Sequence, residues 1–327
     1  MKLIKLFIVL IIAQQSFAQS NIRFSQINFA QGINNPAALA FDARIMVDMI
    51  GRNQWFGFDG GPSTFALNGQ YELDGDMAVG LKVFHDRIGV ARTTAVSGQY
   101  SYRMYTQSGG IFSLGIGLGI DDHSLDYAST QTITPNDPAF RNSYYRTMFQ
   151  ASVGAYYYGP RFYLGVSAPE IFRPRFDAGG KGKMWPEPHY YLSTGFFFSN
   201  ADGSYTFNPN IQVKGLANAP VAGDIILRNT FRGRFSLIAG FRTEMSIIAG
   251  VDMLITPMLR AGYSFNHDVG NLATAKGMSN ELYVGLAFPY RDDRSAFDKR
   301  RYVSNKGGFK RTYRKSQNRK GRTRHNR

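Results

Sequence analysis

The 327 residues include no cysteine, so neither a disulfide nor a thiolate metal site holds this fold together. The formal charge of +15 is uneven: +12 lies in residues 291–327, +2 in the first 18 residues and +1 in the long middle, so the body is nearly neutral. After the leader no stretch offers 18 uninterrupted apolar residues, which excludes transmembrane helices. A chain with 35 Gly, 19 Tyr and 26 Phe is left with two forms, a soluble periplasmic β-protein or an outer-membrane barrel.

Residues 1–18 read as a secretory signal peptide: Lys2 and Lys5 form the basic start, Leu6 to Ala13 the apolar run, and Ser16-Phe17-Ala18 the small-x-small cleavage site. The mature chain is expected to begin at Gln19, and with no cysteine after the cleavage site a lipoprotein anchor is excluded. Residues 19–37 form an N-terminal lead-in. Within it Asn35-Pro36 directs the chain into the first strand, because proline fixes its own φ and biases the preceding residue toward extended geometry. The barrel is assigned to 38–290. Arg52, Gln54 and Trp55, within Arg-Asn-Gln-Trp, are the candidates for a specific local structure between the first two strands. Trp55 reads as an interfacial aromatic and Arg52 as a lumen or headgroup contact; the alternative makes the segment a docking or plug element.

Strict alternation then carries the body. In Ile111 to Ile120, Phe112, Leu114, Ile116, Leu118 and Ile120 face one way and Ser113, Gly115, Gly117 and Gly119 the other. Met77 to Val83 and Met245 to Ile255 repeat the dyad. A soluble sandwich has the same period, so the length of the segments decides: runs of about 9–13 residues suit tilted membrane spans, against about 5–6 for ordinary strands. Tyrosines crowd the segment ends at Tyr100, Tyr102 and Tyr105, at Tyr156 to Tyr158 and at Tyr190 with Tyr191, as interfacial girdles require. Breakers such as Asp74-Gly75, Gly159-Pro160 and Asp202-Gly203 separate the runs.

The expected strands are 38–50, 63–73, 76–87, 91–104, 110–121, 145–158, 161–168, 189–199, 204–214, 221–231, 233–242, 244–255, 257–267 and 279–288, an all-β, antiparallel transmembrane barrel of about fourteen strands. The proline-bearing connections from Asp122 to Ser143 and from Pro169 to Pro188 follow strands 5 and 7. With periplasmic termini both fall outside the cell, in keeping with the long-outside, short-inside asymmetry of such barrels.

The chemistry of catalysis is weakly represented. Outside the tail the histidines are His85, His123, His189 and His267, with no His-Glu-x-x-His, Gly-x-Ser-x-Gly or paired-His spacing. His123 and Ser124 are the residues a barrel hydrolase would have to use. Gly115-x-Gly117-x-Gly119 misses the dinucleotide-binding spacing and is the small face of a strand. The expectation is a non-enzyme with no catalytic, cofactor-binding or metal site.

Residues 291–327 form a basic tail, disordered when free by composition, with Arg300, Arg301, Lys310, Arg311, Arg314 and Lys315 as candidate contacts. Export removes nucleic acid as a partner. Hanging in the periplasm, the tail would meet peptidoglycan carboxylates, anionic headgroups or an acidic protein over a reach of at most about 120 Å, at about 3.3 Å per residue.

Asn34-Asn-Pro-Ala-Ala-Leu-Ala-Phe-Asp-Ala-Arg44 with Arg52-Asn-Gln-Trp-Phe-Gly-Phe-Asp-Gly-Gly-Pro-Ser-Thr64 resembles the opening signature of the PorP/SprF family. Gly80 to Gly89, Asp137-Pro-Ala-Phe140, Tyr156 to Pro169 and His189 to Gly195 look like further blocks of that family in family order. The resemblance implies an outer-membrane barrel of a Gram-negative cell of the Bacteroidetes, part of the type IX secretion and gliding machinery. Such a barrel would work without catalysis in the secretion or cell-surface retention of proteins such as adhesins. It implies outer-membrane lipid, type IX components and exported surface proteins as partners. Family members usually stop near the last strand, so the tail is a departure. A general porin and a barrel hydrolase are the rival readings.

Overall fold

The computed structural model describes residues 23–26, 28–74, 76–106, 109–127, 143–172, 176–177, 183–184, 188–216, 220–243, 245–269 and 278–288. The signal peptide and the basic tail, with Arg300, Arg301, Lys310, Arg311, Arg314 and Lys315, lie outside the described residues, as does Asp137 to Phe140. One helical turn, α1 (Gln31–Asn34), precedes β1 (Ile45–Asn53), β2 (Ser63–Asp74), β3 (Met77–Ile88), β4 (Ala91–Tyr105), β5 (Ile111–Leu125), β6 (Tyr144–Tyr158) and β7 (Phe162–Phe172). A two-residue pair follows, β8 (Phe176–Asp177) with β9 (Lys183–Met184). The second half holds β10 (His189–Phe196), β11 (Phe198–Ser199), β12 (Tyr205–Leu216), β13 (Ala222–Phe231), β14 (Phe235–Arg242), β15 (Ser246–Leu254), β16 (Leu259–Asp268) and β17 (Ser279–Phe288).

Each long strand pairs antiparallel with its neighbours. β10 bridges β7 and β12, β11 continues the line of β10 along β12, and β1 pairs β17 from Ile45–Phe288 to Asn53–Asn280. The ring therefore closes as an antiparallel barrel of fourteen strands, the number expected from the breakers. Closure removes the edges that an open sheet would leave unpaired.

Side-chain burial separates a membrane barrel from a sandwich, which periodicity could not do. On β5 the outward Leu114, Ile116, Leu118 and Ile120 are exposed, Leu118 by 68%, while Ser113 and Asp121 on the opposite face are fully covered. The same inversion runs around the ring. Asp48, Arg52, Lys82, Arg103, Asp224, Arg228, Arg242, Asp252, Arg260 and Glu281 are buried, while Phe65, Leu81, Phe149, Leu164, Ile247 and Leu282 are exposed. An apolar exterior around a polar interior is what a wall facing lipid requires.

β1 and β2, β5 and β6, β7 and β10, and β16 and β17 are joined at one end, the long-loop end, across the longer sequence intervals, and β4 and β5, β6 and β7, β11 and β12, β13 and β14, and β15 and β16 at the other, the short-turn end. Both ends of the barrel chain, Ile45 and Phe288, lie at the short-turn end, opposite the ends of β5 and β7. The strands match the expected ones in number and order, but β5 runs on to Leu125 and β7 to Phe172, into stretches expected to be connections, and the first strand differs most. The first was expected to start at residue 38 but starts at Ile45. The chain from Arg23 to Ala43 lies inside the barrel instead, with Phe24, Ala30, Ile33, Ala37, Leu39, Ala40 and Ala43 buried. Ala38 to Arg44 alternates like a strand, but its alanines at 38, 40 and 43 suit close approach to a wall, and Ala40 adopts φ 47°, which a strand does not.

Candidate functional site in the barrel lumen

The lumenal segment, residues 23–43, is here called the strap. Its start is held by charge. Asp224 on β13 accepts from Arg242 Nε at 3.0 Å and Arg242 Nη2 at 2.9 Å on β14, and from Arg23 Nη1 of the strap at 2.8 Å. Glu281 on β17 accepts the backbone N–H groups of Ser25 at 2.9 Å and Gln26 at 2.7 Å, and Arg52 on β1 donates to the carbonyl of Arg23. A carboxylate taken from water needs partners for its lone pairs, and here the strap supplies part of that set. The wall and the strap therefore complete each other's polar bonding.

Phe29 is the next anchor. The guanidinium of Arg228 lies 3.6 Å from its ring centroid and that of Arg260 4.7 Å, while Tyr283 stacks on it at 5.3 Å. Asp252 holds both arginines, and Tyr283 donates to Asp48 at 2.9 Å, with Gln70 donating to the other oxygen at 2.7 Å. One aromatic ring thus sits between two cations and a tyrosine, each contact favourable by about 0.5–2 kcal/mol.

The middle of the strap crosses to the opposite wall, where Gly115, Gly154 and Gly165 let it come close. Asn35 Nδ2 donates to the carbonyls of Ala155 at 3.1 Å and Val166 at 3.4 Å, while its Oδ1 accepts from Ala37 N–H at 2.9 Å. Ser167 Oγ donates to the carbonyl of Asn34 at 2.8 Å. A Cβ on Gly154 would stand 2.1 Å from Asn35 Oδ1, and one on Gly115 would stand 2.3 Å from the backbone of Pro36 and Ala37. The small face of β5 and β6 is the track along which the strap lies. At the short-turn end Arg103 donates to the carbonyls of Leu39 and Ala40, pairs with Glu72 at 2.9 Å and covers the Phe41 ring at 4.7 Å. Phe41 in turn meets Tyr156 and Tyr158 at 5.1 and 5.9 Å.

Replacing Asn35 with Ala removes its bonds to the carbonyls of Ala155 and Val166 on the far wall, a loss of about 1–3 kcal/mol. Limited proteolysis of the reconstituted barrel is expected to cut the N-terminal segment sooner in Asn35→Ala, while the strands stay protected.

At the long-loop end residues 54–62 form a tied loop. Gln54 N–H donates to Pro62 O at 2.8 Å, Phe56 N–H to Met278 O at 2.8 Å and Gly89 N–H to Gly60 O at 3.1 Å, which joins three connections. Trp55 takes φ 56° and packs edge-on to Phe58 at 6.3 Å. The turn leaves Phe56 and Phe58 70% and 62% exposed.

A sequence profile described as type IX secretion system membrane protein PorP/SprF matches residues 16–286. The chain belongs to the PorP/SprF family. No curated protein matches it significantly. Among solved structures it is similar to the Ralstonia pickettii toluene transporter TbuX, with 10% identity, a TM-score of 0.51 and 80% of this chain and 94% of that one covered. It is also similar to the Acinetobacter baumannii outer membrane protein Omp33, with 10% identity, a TM-score of 0.45 and 75% and 98% covered. The TbuX match supports the barrel fold and nothing more.

Three of the blocks that carried the PorP/SprF resemblance meet in space. Asn35 and Pro36 lie against Gly154, Gly165 and the carbonyls of Ala155 and Val166, so the opening signature docks on the Tyr156 to Pro169 block. Leu39 lies 3.1 Å from where a Cβ on Gly80 would stand. Arg52 belongs to β1 and points into the lumen; Gln54 and Trp55 sit in the loop above it. The buried acid and arginine set on β13 to β17 was missed by sequence reading. Its signal was present as single charges on the minority face of alternating strands: Asp224, Arg228, Asp252 and Arg260. His123 bonds Thr93 Oγ1 at 3.0 Å, and Ser124, its neighbour on a strand, projects to the other face, so the two do not form a nucleophile and base.

Proposed function

We propose that this protein is a non-enzymatic, strap-filled outer-membrane barrel of the type IX machinery that assists the secretion or surface retention of exported proteins such as adhesins. The observation that carries the reading is the family match over residues 16–286 on a barrel whose lumen is occupied by its own residues 23–43. An occupied lumen supports work through the ends of the barrel in preference to solute flux. In this reading the long connections face outward, and the loop bearing Arg52, Gln54 and Trp55 at its base offers Phe56 and Phe58 to an exported partner. The tail hangs in the periplasm, where Arg300, Arg301, Lys310, Arg311, Arg314 and Lys315 contact peptidoglycan or an acidic protein.

Deleting the gene and inventorying surface and medium proteins tests this. At least one exported protein is expected to leave the cell surface, and unchanged secretion and adhesion would overturn the assignment. Complementation with a chain ending at Tyr290 tests the tail separately: it should restore barrel assembly while recovering less peptidoglycan-linked material on purification. Equal recovery would remove the tail from the proposal and leave the rest standing.

A further inference from the structure

The outer face of β3 and β4 is apolar along most of its height and turns basic at one end. Val79, Leu81 and Val83 on β3 stand opposite Tyr100, Gly98 and Val96 on β4. Toward the long-loop end the next outward row is His85 with Thr94, and the last is Arg87 with Arg92, directly opposite each other across the hairpin. The residues between them turn into the lumen: Thr64 donates to Asp86 at 2.8 Å, and Thr93 bonds His123 at 3.0 Å. Strand alternation therefore puts both arginines on the lipid-facing side, where both are exposed.

Like charges directly opposite on one face of a sheet repel. Nothing in the wall offsets this, since no hydrogen bond or ion pair joins either guanidinium to another described residue. Of the acids on neighbouring segments, Asp86 faces inward, Asp59 makes no ion pair with either arginine, and Asp122, one row nearer the apolar band, accepts from Thr147 at 2.9 Å. The basic pair is also local. The last outward residues at this end of β13 to β17 are Gly223, Phe241, Ile247, His267 and Asn280, none of them Arg or Lys.

Opposed residues of two strands stand about 4.5–5.5 Å apart, so two guanidinium forks there can share the oxygens of one phosphate. A phosphomonoester carries about 1.5–2 negative charges at neutral pH and balances the pair, whereas a phosphodiester carries one. The pair lies two rows past the apolar Val83 and Val96, at headgroup level, where long basic side chains keep their stems on the apolar wall and their charge among the heads. In the apolar band Gly69 and Gly98 flank Leu81 in one row, each with nothing within 4 Å of an added Cβ, which leaves room for acyl chains beside that leucine.

We propose that Arg87 and Arg92 bind the phosphomonoester head of an acyl lipid in the leaflet at the long-loop end. Only the naming of that leaflet as the outer one, whose phosphorylated glycolipid fits the pair, rests on the secretion reading above; the site itself needs no exported partner.

The test uses the full-length protein in nonionic detergent, with lipid A as the probe and native mass spectrometry counting the lipid retained. Saturable binding is expected, about ten-fold weaker once the phosphates of lipid A are removed and about ten-fold weaker in Arg87→Gln/Arg92→Gln. Phosphatidylglycerol, a diester, should bind more weakly than lipid A, and excess inorganic phosphate should not displace the lipid. Heat-modifiable migration checks that the substituted barrel is folded; should it not be, Arg92→Gln alone is read the same way. Arg232→Gln/Arg234→Gln removes two exposed arginines from the short-turn end and should bind as the parent does. Equal retention of dephosphorylated lipid A or of phosphatidylglycerol, parental affinity in the Arg87 and Arg92 variant, an equal loss in the Arg232 and Arg234 variant, or displacement by inorganic phosphate would each overturn the site.

Discussion

Removing residues 23–43 while keeping the signal peptide and residues 19–22 is expected to turn a silent barrel into a conducting one in planar bilayers. A closed ring of fourteen strands is wider than the eight-stranded barrels whose interiors side chains alone can fill, so its lumen needs an occupant or it holds water. The strap is that occupant, from Arg23 beside Asp224 at the long-loop end to Leu39 and Ala40 beside Arg103 at the short-turn end. Its loss would expose a wall patch that carries Asp48, Asp224, Asp252 and Glu281 against Arg52, Arg228, Arg242 and Arg260, four charges of each sign. The open pore is therefore expected to discriminate weakly between cations and anions, as an asymmetric ring of charge would not. Discrete current steps from the deleted protein, and none from the whole one, are the expected record. If the deleted protein were as silent as the parent, some other element would close the lumen and the strap would lose its role as the stopper.

The strap also marks where the sequence stopped being legible. Ile111 to Ile120 revealed a strand and its two faces, because alternation is local and each residue reports its own side. Turn residues likewise fixed the number of strands, since each breaker acts within a few positions of itself. What Gly115 and Gly154 are small for could not be read, because the atoms they make room for belong to Asn35, Pro36 and Ala37, about a quarter to a third of the chain away. Ala38 to Arg44 misled for the same reason: an alternating run that packs on a wall has the same pattern as one that is part of it. The bulge at Pro169 was visible as a strand end but not as a continued strand, since whether β7 resumes after a proline depends on β6. The charged lumen was visible one residue at a time, yet pairing Asp252 with both Arg228 and Arg260 needs three strands brought together. Local periodicity gives faces, and only closure of the ring gives partners.

Gly115→Val is expected to have the second large effect, by a route that leaves the strap's own sequence untouched. The obstruction to a Cβ at this position is the backbone of Pro36 and Ala37 at 2.3 Å, and backbone cannot swing aside as the end of a flexible side chain can. Shifting the strap along the wall would break the bonds of Asn35 to the carbonyls of Ala155 and Val166 and of Ser167 to the carbonyl of Asn34. Valine there should therefore cost about 3 kcal/mol, the upper range for overpacking, or displace the strap and give the same current steps as its deletion. Denaturant titration of the reconstituted protein measures the first outcome and bilayer recording the second. Gly98→Val is the matched control. Gly98 lies one strand away on β4, faces outward, and has nothing within 4 Å of an added Cβ, while valine suits a strand exposed to lipid. If Gly115→Val and Gly98→Val were equally stable and equally silent, the glycine face of β5 would not be a track for the strap. If they part as expected, the alternation seen in the sequence has a cause on each face, lipid outside and the chain's own N-terminal residues within.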